Sequence, residues 1–250
     1  MKITYNSILS LLSIAILSAC ASNNSSEPIV HLDTKADLLT VVNIMKPSAQ
    51  DKASVLTLLS NSIEETIVHQ EGYISSSVHS SLDNDYVINY SQWKNMESLG
   101  NAGALVQAGK APKMAEAFTK GKADYHPVTL VAQFTATPNA KVAIDKEGKL
   151  LTIINILTPK EGTSKEELVS LMKDAVSQEV VTQAGFVSST LLQSMDNNYV
   201  INYAQWKDEA SLQGMVNRLQ AGNAPKLAEA FSMASPDFHP FKVHSSHFKK

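Results

Sequence analysis

The residues best placed to do chemistry fall in two near-identical segments, VINYSQWK at 87–94 and VINYAQWK at 200–207. Read as a strand, the first sets Val87, Asn89, Ser91 and Trp93 on one face and Tyr86, Ile88, Tyr90 and Gln92 on the other. Asparagine is depleted in strands, and a buried amide must find partners. Asn89 with Trp93, and Asn202 with Trp206, therefore offer amide and indole N–H groups amid apolar side chains. Small-molecule pockets have that mixture. The preceding strand carries Tyr73, Ser75, Ser77 and His79 at alternate positions, and the first strand carries Val41, Asn43 and Met45. If these share the face of Asn89, a titratable histidine joins the amide and the indole, with Tyr73 and Asn43 beside them. Asn155 repeats Asn43 in the second half. Plainer roles stand alongside: Trp93 and Trp206 as core aromatics, Asn89 and Asn202 bonded to a loop, and His79 as a partly exposed strand residue.

Other chemistries find little support. Cys20 is the only cysteine, so no disulfide, CxxC pair or cysteine metal site is expected. His126 and His239 each precede a proline and read as fixing the start of a strand. His244 and His247 lack a third ligand at metal spacing, so no metal site is expected. A net charge of -3 provides no basic field for nucleic acid. Lys113 and Lys226 recur on an amphipathic helix, as solvated residues or as contacts for a substrate anion.

The elements that must hold these residues occur twice. APKMAEAF at 111–118 recurs as APKLAEAF at 224–231, and His126-Pro127 recurs as His239-Pro240. Two copies about 110 residues apart, each the size of a small domain, point to duplication rather than a solenoid. In the first copy, 38–45 is β-rich, and 53–69 has helical spacing and ends at Gly72. A hairpin follows over 73–82 and 86–93, then helices over 96–106 and 111–118 and a strand over 128–134. The second copy runs 150–157, 165–182, 186–195, 199–206, 209–219 with 224–231, and 241–246. The order βαββαβ is the ferredoxin-like split βαβ unit, an α+β fold with helices on one sheet face. The other face needs cover, and the second copy supplies it. The expected architecture is two such repeats packed sheet to sheet as an intramolecular dimeric α+β barrel, monomeric in solution.

The N-terminus reads as a secretion signal: Lys2, an apolar run over 8–17 too short to span a bilayer, then small residues before Cys20. Leu17-Ser18-Ala19-Cys20 resembles a bacterial lipobox, which implies a lipidated cysteine. Ala21 stands where inner-membrane lipoproteins usually carry aspartate, so the resemblance implies the periplasmic face of the outer membrane. The expected organisation is a signal over 1–19, a lipidated Cys20 with polar tether over 20–36, domains over 37–135 and 149–248, and a linker over 136–148.

The NYxQW strand, the APKxAEAF helix and the HP-containing strand start resemble antibiotic biosynthesis monooxygenase domains, a dimeric α+β barrel family. The resemblance covers both repeats and is nearest to the cofactor-independent, quinone-forming subgroup. It implies a chain that oxidises a quinol, an anthrone-like compound or another enolisable aromatic with O2 and no cofactor. In that subgroup the strand asparagine and tryptophan flank the substrate, with a histidine ten positions before the asparagine. That implies His79, Asn89 and Trp93 as catalytic, with His79 as base and the other two as oxyanion donors. Asn43, Tyr73, Lys113, Asn155, Asn202 and Trp206 become substrate-binding. The match is partial: Leu192 stands at the second histidine position, Leu99 and Leu212 where the subgroup has tyrosine, and Lys113 and Lys226 where it has arginine. Haem degradation in the same superfamily needs a helical histidine where Gly103 and Val216 stand, and is disfavoured. The alternative is a non-catalytic lipoprotein that holds a small apolar ligand in the same barrel pocket.

Overall fold

The computed structural model describes residues 28–83, 86–196 and 199–250. The expected signal, Cys20 and the SNNSSE tether lie outside the described residues. Among those described, no helix is long and apolar enough to cross a membrane. The first repeat runs β2 (Leu39–Met45), α1 (Lys52–Glu65), β3 (Tyr73–Ser81), β4 (Val87–Trp93), α2 (Met96–Gln107), α3 (Pro112–Gly121) and β5 (Asp124–Thr135). The second runs β7 (Leu151–Pro159), α4 (Lys165–Ala175), β8 (Phe186–Ser194), β9 (Val200–Trp206), α5 (Glu209–Gln220), α6 (Pro225–Ser232) and β10 (Ala234–Phe248). Two further strands, β1 (Val30–Leu32) and β6 (Val142–Ile144), pair antiparallel as a separate ribbon.

Local chemistry sets the helix starts. Asn95, Ser164 and Asp208 accept N-cap bonds from the backbone N–H of Ser98, Glu167 and Ser211. Pro112 and Pro225 open α3 and α6, where a missing N–H costs nothing. Gly72 and Gly185 take left-handed φ values of 76° and 79°. A Cβ at Gly185 would stand 1.9 Å from the Ser211 hydroxyl, so only glycine lets β8 begin beneath α5.

The eight long strands form one closed barrel in the order β10-β3-β4-β2-β5-β8-β9-β7. Each repeat contributes four neighbouring strands, and the fifth and tenth strands cross over. Residues 128–135 of β5 pair with 188–194 of β8, and residues 241–248 of β10 pair with 75–81 of β3. The expected α+β fold of two ferredoxin-like repeats closing a barrel is what forms. The interior is packed with side chains of both repeats, among them Ile44, Ile88, Tyr90, Ile156, Leu192 and Tyr203. The ribbon adds Val30, Leu32, Val142 and Ile144 to that cluster. The barrel interior, where the sequence reading sets a ligand pocket, is thus occupied by core.

Strand β1 falls within the expected tether segment 20–36, and β6 within the expected linker 136–148. Three-residue strands leave little periodicity to read. The glutamine of NYxQW holds them. Gln92 Nε2 donates to the His31 carbonyl at 3.0 Å, and Gln205 Nε2 donates to the Ala143 carbonyl at 2.7 Å. Ser75 and Ser188 hydroxyls donate to the two glutamine oxygens.

One register shift decides which side chains meet. In β3, Tyr73 stands opposite Trp93, but Ser75 already stands opposite Gln92, so Ile74 is an extra residue. This β-bulge reverses the alternation. Beyond it Ser76 and Val78 share the face of Ser91 and Asn89, while Ser77 and His79 share the face of Tyr90 and Ile88. His79 therefore points into the barrel, and Asn89 and Trp93 point out under the helices. The single face expected for the three residues does not exist.

Candidate functional site

The outer, helix-covered faces carry the paired motif residues. Asn43 stands directly across from Asn89, and Asn155 directly across from Asn202. Asn43 and Asn155 are 4% and 2% exposed, and their Oδ1 atoms, like that of Asn89, are buried with no hydrogen-bond partner. An orphaned buried amide oxygen is costly. Two such pairs at equivalent positions are therefore more than packing.

In the second repeat the pair opens onto a cavity of about 70 Å³ between sheet and helices. Asn155, Asn202, Ser189 and Trp206 form the floor, and Met215, Leu219 and Phe231 of α5 and α6 form part of the roof. None of its lining residues is titratable. The space is far below the ~300–1,000 Å³ of a drug-sized ligand site. A substrate must therefore displace roof side chains, of which Met172 and Met215 are the most adaptable.

The donors differ in readiness. Ser189 Oγ donates to Asn202 Oδ1 at 2.7 Å, which leaves the amide N–H groups of Asn202 for an occupant. Trp206 packs edge-on to Phe186, with ring centroids 5.6 Å apart. Its neighbour on the same face is Ala204, so the strand offers the indole N–H no hydroxyl.

Behind the cavity the helix after α4 loosens into a π-turn over Val176–Val180. Such turns recur at functional sites. Here it aims Val176 and Val180 into the cavity and turns Glu179 inward. The Glu179 carboxylate, 6% exposed, accepts from the backbone N–H of Lys226 and Leu227 at 2.9 Å each. It thus caps α6 and fixes the roof. Glu179 went unnoticed in the sequence. Its counterpart is Thr66, so repetition could not flag it, and only its place just before Val180 and Val181 hints at its part.

Other expected residues lie elsewhere. His79 is fully buried in the barrel, with Nε2 3.2 Å from the Tyr203 hydroxyl and Nδ1 without a partner. Burial pushes its pKa down to about 4, against small opposing contributions from the Ile88 and Ser77 backbone. The sheet separates it from Asn89 and Trp93. Tyr73 does lie with Trp93 on the helix side, edge-on at 5.2 Å. Lys113 is on the surface, paired with Glu65 at 2.5 Å, and contributes no cation to either asparagine pair. His126 and His239 tie the repeats together. His126 bridges Asp124 and Asp196 at 2.7 and 2.8 Å, and His239 bridges Asp237 and Asp83 at 2.7 and 3.0 Å.

The closed barrel of two ferredoxin-like repeats has counterparts among known proteins. The fold is that of antibiotic biosynthesis monooxygenase domains, and the model of that family matches residues 150–226, within the repeat that holds the cavity. Over 59 residues the chain is 32% identical to tetracenomycin-F1 monooxygenase of Streptomyces glaucescens, a stretch covering 24% of this chain and 53% of that protein. The chain thus spans about half the length of the curated relative it matches. Among solved structures, an anthrone oxidase-like protein superposes with a TM-score of 0.73 at 17% identity, covering 89% of this chain and 97% of the other. A candidate monooxygenase from Fusobacterium nucleatum subsp. nucleatum gives 0.54 at 11% identity, covering 86% and 96%. At these identities the structural likeness speaks to the fold.

Proposed function

We propose that the chain is a cofactor-independent monooxygenase that oxidises an enolisable or phenolic aromatic with O2 in the outer pocket of its second repeat, and that the first repeat is a second copy of the same domain. The observation that carries this reading is the Asn202 amide, anchored by Ser189, lining the same apolar-walled pocket as Trp206. An anthrone-like carbon gives up electrons to O2 only as its enolate. Two N–H donors at the developing oxyanion favour that ionised form, and a dry site strengthens both bonds. With no titratable side chain in the lining, the proton leaves to water as the substrate binds. The carbanionic carbon then bonds one oxygen of O2, the O–O bond breaks, and the carbon keeps that oxygen as a carbonyl. The second oxygen departs as water with both hydrogens.

Oxygen uptake by the soluble chain, begun near Ser22, tests this with a panel of anthrones and hydroquinones. Uptake above autoxidation is expected, one O2 per quinone formed. Asn202→Ala and Trp206→Phe should each slow it by ~10²-fold, the usual effect of losing an oxyanion donor. The missing base favours a second reading, in which the pocket only holds an apolar aromatic. Saturable binding without any uptake would establish that one.

We also infer that Cys20 is lipidated and that SNNSSE tethers the barrel to the periplasmic face of the outer membrane. The lipobox-like Leu17–Cys20 segment supports this, since several acyl chains on one cysteine hold firmly at about 0.8 kcal/mol per buried methylene. Membrane fractionation should find the chain in the outer membrane and the Cys20→Ser variant released. Equal partition of the two would overturn the anchor.

A further inference from the structure

The two asparagine pairs are built alike, but the hydroxyls around them are not. In the second repeat Ser189 is free to bond Asn202 Oδ1 at 2.7 Å. Its counterpart Ser76 bonds the Tyr73 hydroxyl instead, at 2.8 Å, and that hydroxyl also donates to the His247 carbonyl at 3.2 Å. Asn89 Oδ1 is left buried without a partner. The residue responsible stands at the start of the strand, Tyr73 in one repeat and Phe186 in the other, each edge-on to the motif tryptophan. The tryptophans diverge in step. Trp93 Nε1 donates to Ser91 Oγ at 3.1 Å, and the residue equivalent to Ser91 is Ala204.

A carboxamide has one acceptor oxygen and two N–H donors, so anchoring the oxygen decides which end meets the ligand. An indole has a single N–H, and giving it to a strand serine removes it from the pocket. We propose that the chain has one working pocket: Ser189 is the positioning residue that turns the Asn202 N–H groups toward an oxyanion, while Tyr73 and Ser91 silence the first repeat by using its donors internally. This rests on the second-repeat pocket being an oxyanion-binding site.

Titration of the full chain with 4-nitrophenol, whose ionised form absorbs visible light, tests both levels. The unaltered chain should bind one equivalent and ionise it at a lower pH than in water. Ser189→Ala should still bind the probe but lose about tenfold in its preference for the ionised form, the worth of one bond to a charged group. Ser189→Thr, which keeps the hydroxyl, should restore it. The Tyr73→Phe/Ser91→Ala double variant copies residues that the second repeat already packs, and should bind a second equivalent. Two equivalents on the unaltered chain, or one on the double variant, would overturn the silencing. A full ionisation shift in Ser189→Ala would overturn the positioning role while leaving the pocket. Failure of the unaltered chain to favour the ionised probe would instead remove the oxyanion site, and this inference with it.

Discussion

Burial keeps His79 neutral down to about pH 4, whereas the unfolded chain takes up that proton near the ordinary value of 6.5. Between those values the unfolded state binds more protons, so acid weakens the fold. Stability is intact above about pH 6.5 and falls toward pH 4 by roughly 3 kcal/mol from this one residue. Leu192 holds the equivalent position in the second repeat. His79→Leu should therefore leave stability at pH 7 within about 1 kcal/mol, trading the bond to Tyr203 for apolar burial. Urea midpoints should show a shallower loss between pH 7 and 4.5 for this variant than for the unaltered chain. Equal slopes would mean that His79 is not the buried proton acceptor. A large fall in oxygen uptake in the same variant would return His79 to the chemistry despite its place inside the barrel.

Glu179 joins two elements, the π-turn after α4 and the first turn of α6. Glu179→Ala leaves two helix N–H groups without acceptors behind the pocket roof and should destabilise the chain by about 2 kcal/mol. Hydrogen exchange should quicken first in α6; exchange quickened evenly over the whole barrel would assign Glu179 to the general core instead. How such elements form was only partly legible in the sequence. Strand and helix periods located β2, β3, β4, β7, β8 and β9 with their helices, and repetition confirmed each against its copy. The sequence places the starts of β5 and β10 too late, because Pro127 and Pro240 lack an N–H for the ladder and suggest a strand start rather than a strand interior. Both instead lie where pairing to the other repeat begins: Met195 N–H donates to the Pro127 carbonyl and Leu82 N–H to that of Pro240. The bulge at Ile74 had no glycine or proline to betray it. Since strand alternation has a period of two, that one extra residue moved His79 to the opposite face. Asn89, Trp93, Asn202 and Trp206 lie on bulge-free strands, and there the alternation read from the sequence held.

At the scale of the whole molecule, the barrel has no edge only because each repeat lends its last strand to the other. A single repeat would expose two strand edges, β3 and β5 or β8 and β10, together with half of the interior that joins Ile44 and Ile88 to Ile156 and Tyr203. Open edges over an apolar face invite pairing with another chain. The intact chain should therefore be a monomer by light scattering, with both seams satisfied internally. The fragments 28–138 and 139–250 should each dimerise or aggregate alone, yet combine one to one when refolded together. The His126 and His239 bridges give that pairing register, since each meets an aspartate of its own repeat and one of the other. A shape-conserving change at one bridge is the sharper probe: Asp196→Asn removes the carboxylate that His126 reaches across the seam while keeping the side chain's outline. That variant should weaken recombination of the fragments severalfold and leave the fold of the intact, covalently joined chain nearly unchanged. If the fragments stayed soluble monomers, or recombined equally well without Asp196, closure of the barrel would not be what holds the two repeats together.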